Sequence, residues 1–341
     1  LQTGLHLPFT VYTTLPYHPD KSGWKEVADF FTKAYLEDAK AIGIDTVDLY
    51  PKATQYLEEI IRQIETLIKN GFAYKTSSGI YFEVRKFKNY GKLSGQNPDE
   101  LRPGYRIEPD PEKKDVLDFA LWKFKSDEPF WPSPWGNGRP GWHIEDTAIT
   151  NKIFGPQYDI HGGAVELKFP HHEAEIAQQE SASGKSPLVK LWIHTGLLLV
   201  NGEKMSKSLG NFITIRDFLE KWPANVLRWI ILTHNYRSPI NYTDELAKNA
   251  QDSLQAIEDF FVQLRKKTEE SEDNAKLQIR TAIRKANQEF REEMADDFNT
   301  PEAIASIFRL INTIQPLLSK LRRNEGDLIE SDIKENLKIL G

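Results

Sequence analysis

The sequence predicts an α/β fold carrying a β-containing insertion, followed by an all-α helical bundle. Three observations carry that reading. Gly79-Ile80-Tyr81-Phe82-Glu83-Val84 alternates at the period of a strand. Lys190–Val200 ends in the apolar run Leu197-Leu198-Leu199-Val200, which suits a single buried strand. Past Pro223 the chain reads as amphipathic helix, with charge opposite each apolar stripe.

Taken in order, residues 1–20 are rich in Thr, Pro and His and read as irregular. A helix is expected from about Trp24 to Ile42, where Phe30, Phe31, Ala34, Tyr35 and Ala39 fall at helical spacing. A second begins at Thr54, whose hydroxyl suits an N-cap ahead of Leu57, Ile60, Ile61, Ile64 and Leu67, and Gly71 ends it. Between about 73 and 118, Gly, Pro, Asn and Asp punctuate short strands, which marks the insertion. Aromatics and prolines crowd residues 119–142 before α/β character returns. Three or four long helices follow Asn225, with a solvated turn at Glu269–Asn274. The domain boundary is expected near residue 222, giving an α/β part at 1–222 and a bundle at 223–341.

Composition limits the partners. The 341 residues are 39% apolar and 28% charged, enough for two cores of ordinary size. No run approaches the roughly 18 apolar residues of a membrane span, and no basic-then-apolar leader opens the chain. The expected compartment is therefore the cytoplasm, with an organelle matrix as the other option. The net charge of -6 gives no global field for nucleic acid, so an RNA partner needs a local basic face. Arg216, Lys221, Arg228 and Arg237 are the candidates for one. Cysteine is absent, which removes disulfides and thiolate ligands from this stretch. The chain opens at Leu1 and its methionines are Met205 and Met294, so a fragment or processed product is expected.

The strongest chemical signal is Lys204-Met205-Ser206-Lys207-Ser208, followed by Leu209-Gly210-Asn211. Two ammonium groups three residues apart, on a Ser- and Gly-containing loop, can wrap a triphosphate and neutralise departing pyrophosphate. A bare Lys-x-x-Lys is more often an exposed basic turn. The intact pentapeptide after an expected strand favours the phosphate reading, and it matches the second signature of class I aminoacyl-tRNA synthetases.

Further motifs narrow the resemblance. Asp118-Phe119-Ala120-Leu121-Trp122-Lys123, Ser133-Pro134-Trp135-Gly136 and Gly141-Trp142-His143-Ile144-Glu145 occur in that order. They are followed by Asp159-Ile160-His161-Gly162-Gly163, Phe169-Pro170-His171-His172-Glu173, His234-Asn235-Tyr236-Arg237-Ser238-Pro239 and Asp296-Asp297-Phe298-Asn299-Thr300-Pro301. Over roughly residues 25–340 the chain resembles cysteinyl-tRNA synthetase. The resemblance implies a class I synthetase Rossmann-like catalytic domain and a tRNA-side helical bundle. It also implies ATP with Mg2+, an amino acid and tRNA as ligands, and a monomer.

The resemblance assigns residues too. Lys204 and Lys207 become the catalytic cations, and Lys204, Met205, Ser206, Lys207 and Ser208 bind ATP with Gly162, Gly163 and Glu166. Trp142 and His161 line the amino-acid pocket. The family's zinc is held by two cysteines, a histidine and a glutamate; the last two align with His171 and Glu175, while a cysteine position is Asp146 here. Asp146, His171 and Glu175 are thus the candidate zinc set. Asp146 could instead recognise a cationic or hydroxyl side chain, or the three could be an ordinary helix pair and a solvated acid.

Other positions depart from the family. Its His-x-Gly-His element aligns with Gln2-Thr3-Gly4-Leu5, ahead of Pro8-Phe9-Thr10-Val11-Tyr12, and only the glycine matches. The strand and loop that follow look shortened between about Thr14 and Gly23, and the anticodon-reading domain is expected to be absent. Three readings follow: a cysteine–tRNA ligase, a ligase passing an activated amino acid to a small amine, or a non-catalytic paralogue keeping the scaffold for RNA or protein binding.

Overall fold

The structure, a computed structural model, describes residues 23–100, 111–206, 209–266, 274–321 and 323–340. The expectations for residues 1–20 and for the 269–273 part of the turn lie outside these residues. The chain packs as two compact units, one of residues up to 33 with 46–195, the other of 34–45 with the chain from 196 onward. Helix α1 (Trp24–Ala41) matches its predicted span and contributes residues to both.

In the first unit, α2 (Leu57–Lys69) buries Ile60, Ile64 and Leu67, the predicted stripe, and Gly71 follows at φ +79 in the left-handed region that stops helices. Its start differs from expectation. Backbone bonds Gln55 N to Lys52 O and Tyr56 N to Ala53 O close a tight turn over Ala53–Gln55. Thr54 lies inside that turn, and Tyr56 takes the cap position without a side-chain bond.

Strands β1 (Ala73–Lys75), β2 (Gly79–Phe82), β3 (Phe119–Phe124) and β4 (Gly138–Pro140) form one antiparallel sheet in that order. The strand expected within residues 79–84 is β2, and it is buried throughout. It lies between β1 and β3, and Phe82 stacks against Phe72 and Phe119 at centroid distances of 6.1 and 4.9 Å. With α2 this sheet forms the unit's apolar core, around Phe82, Leu121, Trp122 and Ile144.

Helix α3 (Trp142–Phe154) follows β4. Beyond it, β5 (Tyr158–Ala164), α4 (Glu173–Ser183) and β6 (Val189–Thr195) form a β-α-β unit whose strands pair in parallel. His161 stands opposite Trp192 and Gly163 opposite His194 in that register.

The single strand expected over 190–200 is two strands. β6 ends at Thr195, and β7 (Leu198–Val200) belongs to the second unit. Gly196 is the break. Its amide donates to Tyr236 O at 2.7 Å, and a Cβ there would meet Ser238 O at 2.1 Å, so neither a side chain nor continued pairing fits. Of the apolar run, Val200 is buried but Leu198 is exposed.

In the second unit β7 sits between β8 (Glu203–Lys204) and β9 (Ile240–Tyr242). β9 interrupts the stretch expected to be wholly helical after Pro223, because Ile240 and Tyr242 pair with Leu198 and Val200. Helices α5 (Ile215–Lys221) and α6 (Ala224–Leu232) lead to four long ones: α7 (Asp244–Arg265), α8 (Asn274–Ala295), α9 (Thr300–Ile314) and α10 (Arg323–Leu340). Phe260, Phe290, Ile307, Ile314, Ile329 and Ile333 fill the space between them. No helix among the described residues is long and apolar enough to cross a membrane.

Candidate functional site

Three elements of the first unit deliver a buried polar cluster. The first turn of α3 carries Trp142, His143, Glu145 and Asp146; β5 carries His161, Gly162 and Gly163. The turn Lys168–His172 and the start of α4 bring His171, His172 and Glu175. His171 and Glu175 lie one helical turn apart, so both side chains point the same way.

Asp146, His171 and Glu175 meet as the sequence anticipates. His171 Nε2 lies 3.0 Å from Asp146 Oδ2 and 3.3 Å from Glu175 Oε1. Asp146 is buried, not solvated, and its carboxylate already faces His171. Trp142 tilts over His171 at 4.3 Å, with 38% of its surface exposed. His161, 3% exposed, sits on the other side of Glu175, with Nε2 at 3.5 Å from Oε2.

Sequence reasoning gave no role to the histidines that complete the cluster. His143 Nδ1 shares a hydrogen bond with His171 Nδ1 at 2.7 Å, and His172 Nδ1 shares one with His194 Nε2 at 2.8 Å. Trp192 covers His161 and His172 at 4.7 and 4.9 Å. The available signal was alternation. Trp192 and His194 are two residues apart on β6 and share its face with His161 and Gly163 across the ladder.

Charge is unevenly held here. Burial alone would raise Glu175, but the facing His161 and His171 hold its carboxyl low. Burial likewise opposes charge on His171, yet Glu175 and Asp146 keep it cationic well above the usual imidazole range. Burial raises Asp146, against the pull of its bond to His171, and with Asp146's charge it pushes Glu145 up to about 8. Burial drives His172 down to about 3 and also lowers His161.

Two sets in this cluster can hold a metal ion: Asp146, His171 and Glu175, and His161, His172 and Glu175. Within each, the donor atoms lie within 4.8 Å of one another. Glu175 Oε1 and Oε2 have no hydrogen-bond partner although fully buried, as expected of groups built to face a cation. The donors are imidazole nitrogen and carboxylate oxygen without sulfur, a harder set than a thiolate site but one that suits divalent zinc.

The glycine-rich segment continues from His161. Gly162 is open, with only Ile193 O at 3.7 Å from an added Cβ, whereas Gly163 is covered by the His172 ring. Glu166 follows in the short turn Val165–Leu167.

The Lys204–Ser208 loop belongs to the second unit. Lys204 ends β8 and is exposed, and Met205 packs on that unit's core. Asn211 pins the loop, accepting from Ser206 N at 2.8 Å and donating to Lys204 O at 3.3 Å, while Gly210 turns at φ +67. Lys207 and Ser208 lie outside the described residues, as do Gln2-Thr3-Gly4-Leu5, Pro8–Tyr12 and the Thr14–Lys21 stretch.

The expected basic face is largely neutralised within its own unit. Arg216 pairs with Asp38 and Glu37, Lys221 with Asp244 and Arg237 with Asp297, while Arg228 donates to Ile42 O.

Residues 18–252 match the family model for the class I (C) tRNA synthetase catalytic domain, and residues 289–341 match that of the DALR domain. A cysteine–tRNA ligase of Thermococcus onnurineus is 43% identical over 316 residues, covering 91% of this chain and 66% of that protein. One of Methanococcus maripaludis is 46% identical over 314 residues, covering 90% and 66%, and one of Carboxydothermus hydrogenoformans is 45% identical, covering 93% and 68%. The chain thus spans about two thirds of the length of these relatives. Among solved structures, the methionyl-tRNA synthetase of Mycobacterium tuberculosis with methionyl-adenylate superposes at TM-score 0.64 and 14% identity, covering 94% of this chain and 78% of that one, a likeness of fold.

Proposed function

The chain belongs to the cysteine–tRNA ligase family of class I synthetases, and from that premise we propose that it activates an amino acid with ATP and passes it to tRNA. The observation that carries this reading is identity near 45% over about nine tenths of the chain, including an intact Lys204–Ser208 signature. By resemblance the amino acid is cysteine, the tRNA is that of cysteine, and the enzyme acts as a cytoplasmic monomer.

The amino acid's own carboxylate attacks the α-phosphate, so no side-chain nucleophile is required. Catalysis is positioning plus neutralisation of the departing diphosphate. Lys204 and Lys207 supply that positive charge. Met205, Ser206 and Ser208 complete the loop, while Gly162 and Gly163 admit backbone close to the nucleotide and Glu166 accepts from ribose hydroxyls. Mg2+ accompanies the triphosphate. Trp142 and His161 bound the amino-acid pocket.

Asp146, His171 and Glu175 would hold the family's zinc, which when bound supplies a coordination position for the substrate's sulfur. The protein's own contribution is to keep His171 oriented between two carboxylates and a second imidazole in a water-poor site. We retain the division at residue 222, with an insertion at about 73–118, as the functional one: an α/β catalytic part, then a helical part facing tRNA.

Pyrophosphate exchange screened across the amino acids, with and without Zn2+, tests the proposal. Cysteine-dependent exchange followed by tRNA charging supports it. Exchange without tRNA charging would move the assignment to a small-amine ligase, and no exchange with any amino acid would leave a binding scaffold.

A further inference from the structure

We propose that His161, His172 and Glu175 form a second divalent-metal site, separate from the Asp146–His171 set and sharing only Glu175 with it. This goes beyond amino-acid activation and does not depend on it.

The first observation is unsatisfied polarity. His161 Nε2, His172 Nε2 and both Glu175 oxygens are buried without a hydrogen-bond partner, in residues that are 3%, 0% and 1% exposed. A buried polar group left unmet opposes folding, the more so where it is charged. Glu175 Oε1 faces His171 Nε2 at 3.3 Å and Oε2 faces His161 Nε2 at 3.5 Å without forming hydrogen bonds, and a single cation would satisfy Oε2 and both imidazole nitrogens together.

The second is convergence. One donor atom from each of the three residues lies within 4.8 Å of the others, close enough for a single cation to draw them onto its coordination sphere. The third is the outer layer. Tyr158 Oη lies 2.5 Å from His161 Nδ1, and His194 Nε2 lies 2.8 Å from His172 Nδ1. Occupying each Nδ1 fixes the ring and leaves Nε2 free to ligate, the arrangement that orients metal-binding histidines.

Gly163 belongs to the same design. A Cβ at that position would stand 2.8 Å from His172 Cε1 and 3.1 Å from Nε2, so only glycine lets the ring reach its place. Glu175 can serve two ions because its oxygens diverge, Oε1 toward His171 and Oε2 toward His161. Ions sharing a carboxylate in this way sit about 3.5–4 Å apart. Two imidazoles and a carboxylate, with no thiolate, suit Zn2+ or Co2+ and leave a coordination position open.

Co2+ alone, titrated into the metal-free full chain and followed by visible absorption and bound-metal analysis, tests the site. We expect Asp146→Asn to retain an ion, and His161→Gln and His172→Gln each to lose one equivalent relative to the unaltered chain. Unchanged stoichiometry in both histidine variants, or no Co2+ bound by the unaltered chain, overturns the proposal. A measurement that needs no variant is anomalous diffraction from Zn2+-soaked crystals. A peak about 2.0–2.1 Å from both His161 Nε2 and His172 Nε2 supports the site; a peak only beside Asp146 and His171, or none, refutes it.

Discussion

Arg237 grips Asp297 through two parallel bonds, Nε to Oδ2 at 2.6 Å and Nη2 to Oδ1 at 2.8 Å, while Tyr236 Oη donates to Oδ1 at 2.8 Å. Asp297 is held at φ +54, a left-handed conformation that aspartate tolerates better than most residues. The two signatures read separately in the sequence, His234–Pro239 and Asp296–Pro301, are therefore two halves of one contact. That contact ties the loop before β9 to the turn before α9.

It gives a pH prediction. The bonds from Arg237 and then Tyr236 hold the Asp297 carboxyl at about 2, below its usual 3.8. A depressed folded-state value stabilises the fold above the unfolded value and ceases to do so as pH falls through the folded one. Asp297→Asn should melt below the unaltered chain at neutral pH, and the gap should close between pH 3.8 and about 2. Melting curves over a pH series check this. A gap that persists at the acid end would mean the pair is not its source.

Glu175 gives the largest stability effect. It is buried between His161 and His171, and Glu175→Gln leaves a cationic His171 with only Asp146 to offset it. Removing one partner of a buried pair costs about 3–5 kcal/mol, so the urea midpoint of the metal-free variant should fall sharply. A midpoint within experimental scatter of the unaltered chain would show that Glu175 is not compensating buried charge.

Adjacent glycines on β5 should behave oppositely. Gly163→Ala drives a methyl into the His172 ring and also lies 3.2 Å from Leu167 Cδ1, which should cost about 1–3 kcal/mol. Gly162→Ala meets only Ile193 O at 3.7 Å and should be close to neutral. Paired denaturation curves decide the matter. Equal losses would mean that strand propensity, not His172, governs this segment.

How much of this was legible in sequence depends on the kind of signal. Helical stripes such as Ile60, Ile64 and Leu67 fix their own partners' side, so α1 and α2 fell almost where expected. Asp146, His171 and Glu175 were legible through the family resemblance, which aligned all three with zinc positions, two of them one helical turn apart. His172 and His194 were not, since only the parallel pairing of β5 with β6 brings them together. The strand over 190–200 was misread because hydropathy carries straight through Gly196, whereas the close approach of Ser238, 42 positions along, ends it. Residues 240–242 read as part of a helical region because a three-residue strand is too short to show a period; pairing with β7 makes it one.

The phosphate loop supplies the functional prediction. Lys204 stands exposed at the end of β8, beside a turn that Asn211 holds from both ends, so its alanine variant should leave the unit's core intact. If Lys204 and Lys207 neutralise the leaving diphosphate, their contribution exists mainly in the transition state. Each alanine variant should then lose about 3–4 kcal/mol of activation, roughly a hundred- to a thousandfold in rate. The loss should appear in kcat for pyrophosphate exchange more than in KM for ATP, because groups that bind ground and transition states equally alter KM alone. Melting temperature should not move, which separates this loss from unfolding. A variant of either lysine that exchanges pyrophosphate at the unaltered rate would remove the loop from the chemistry and leave it an exposed basic turn.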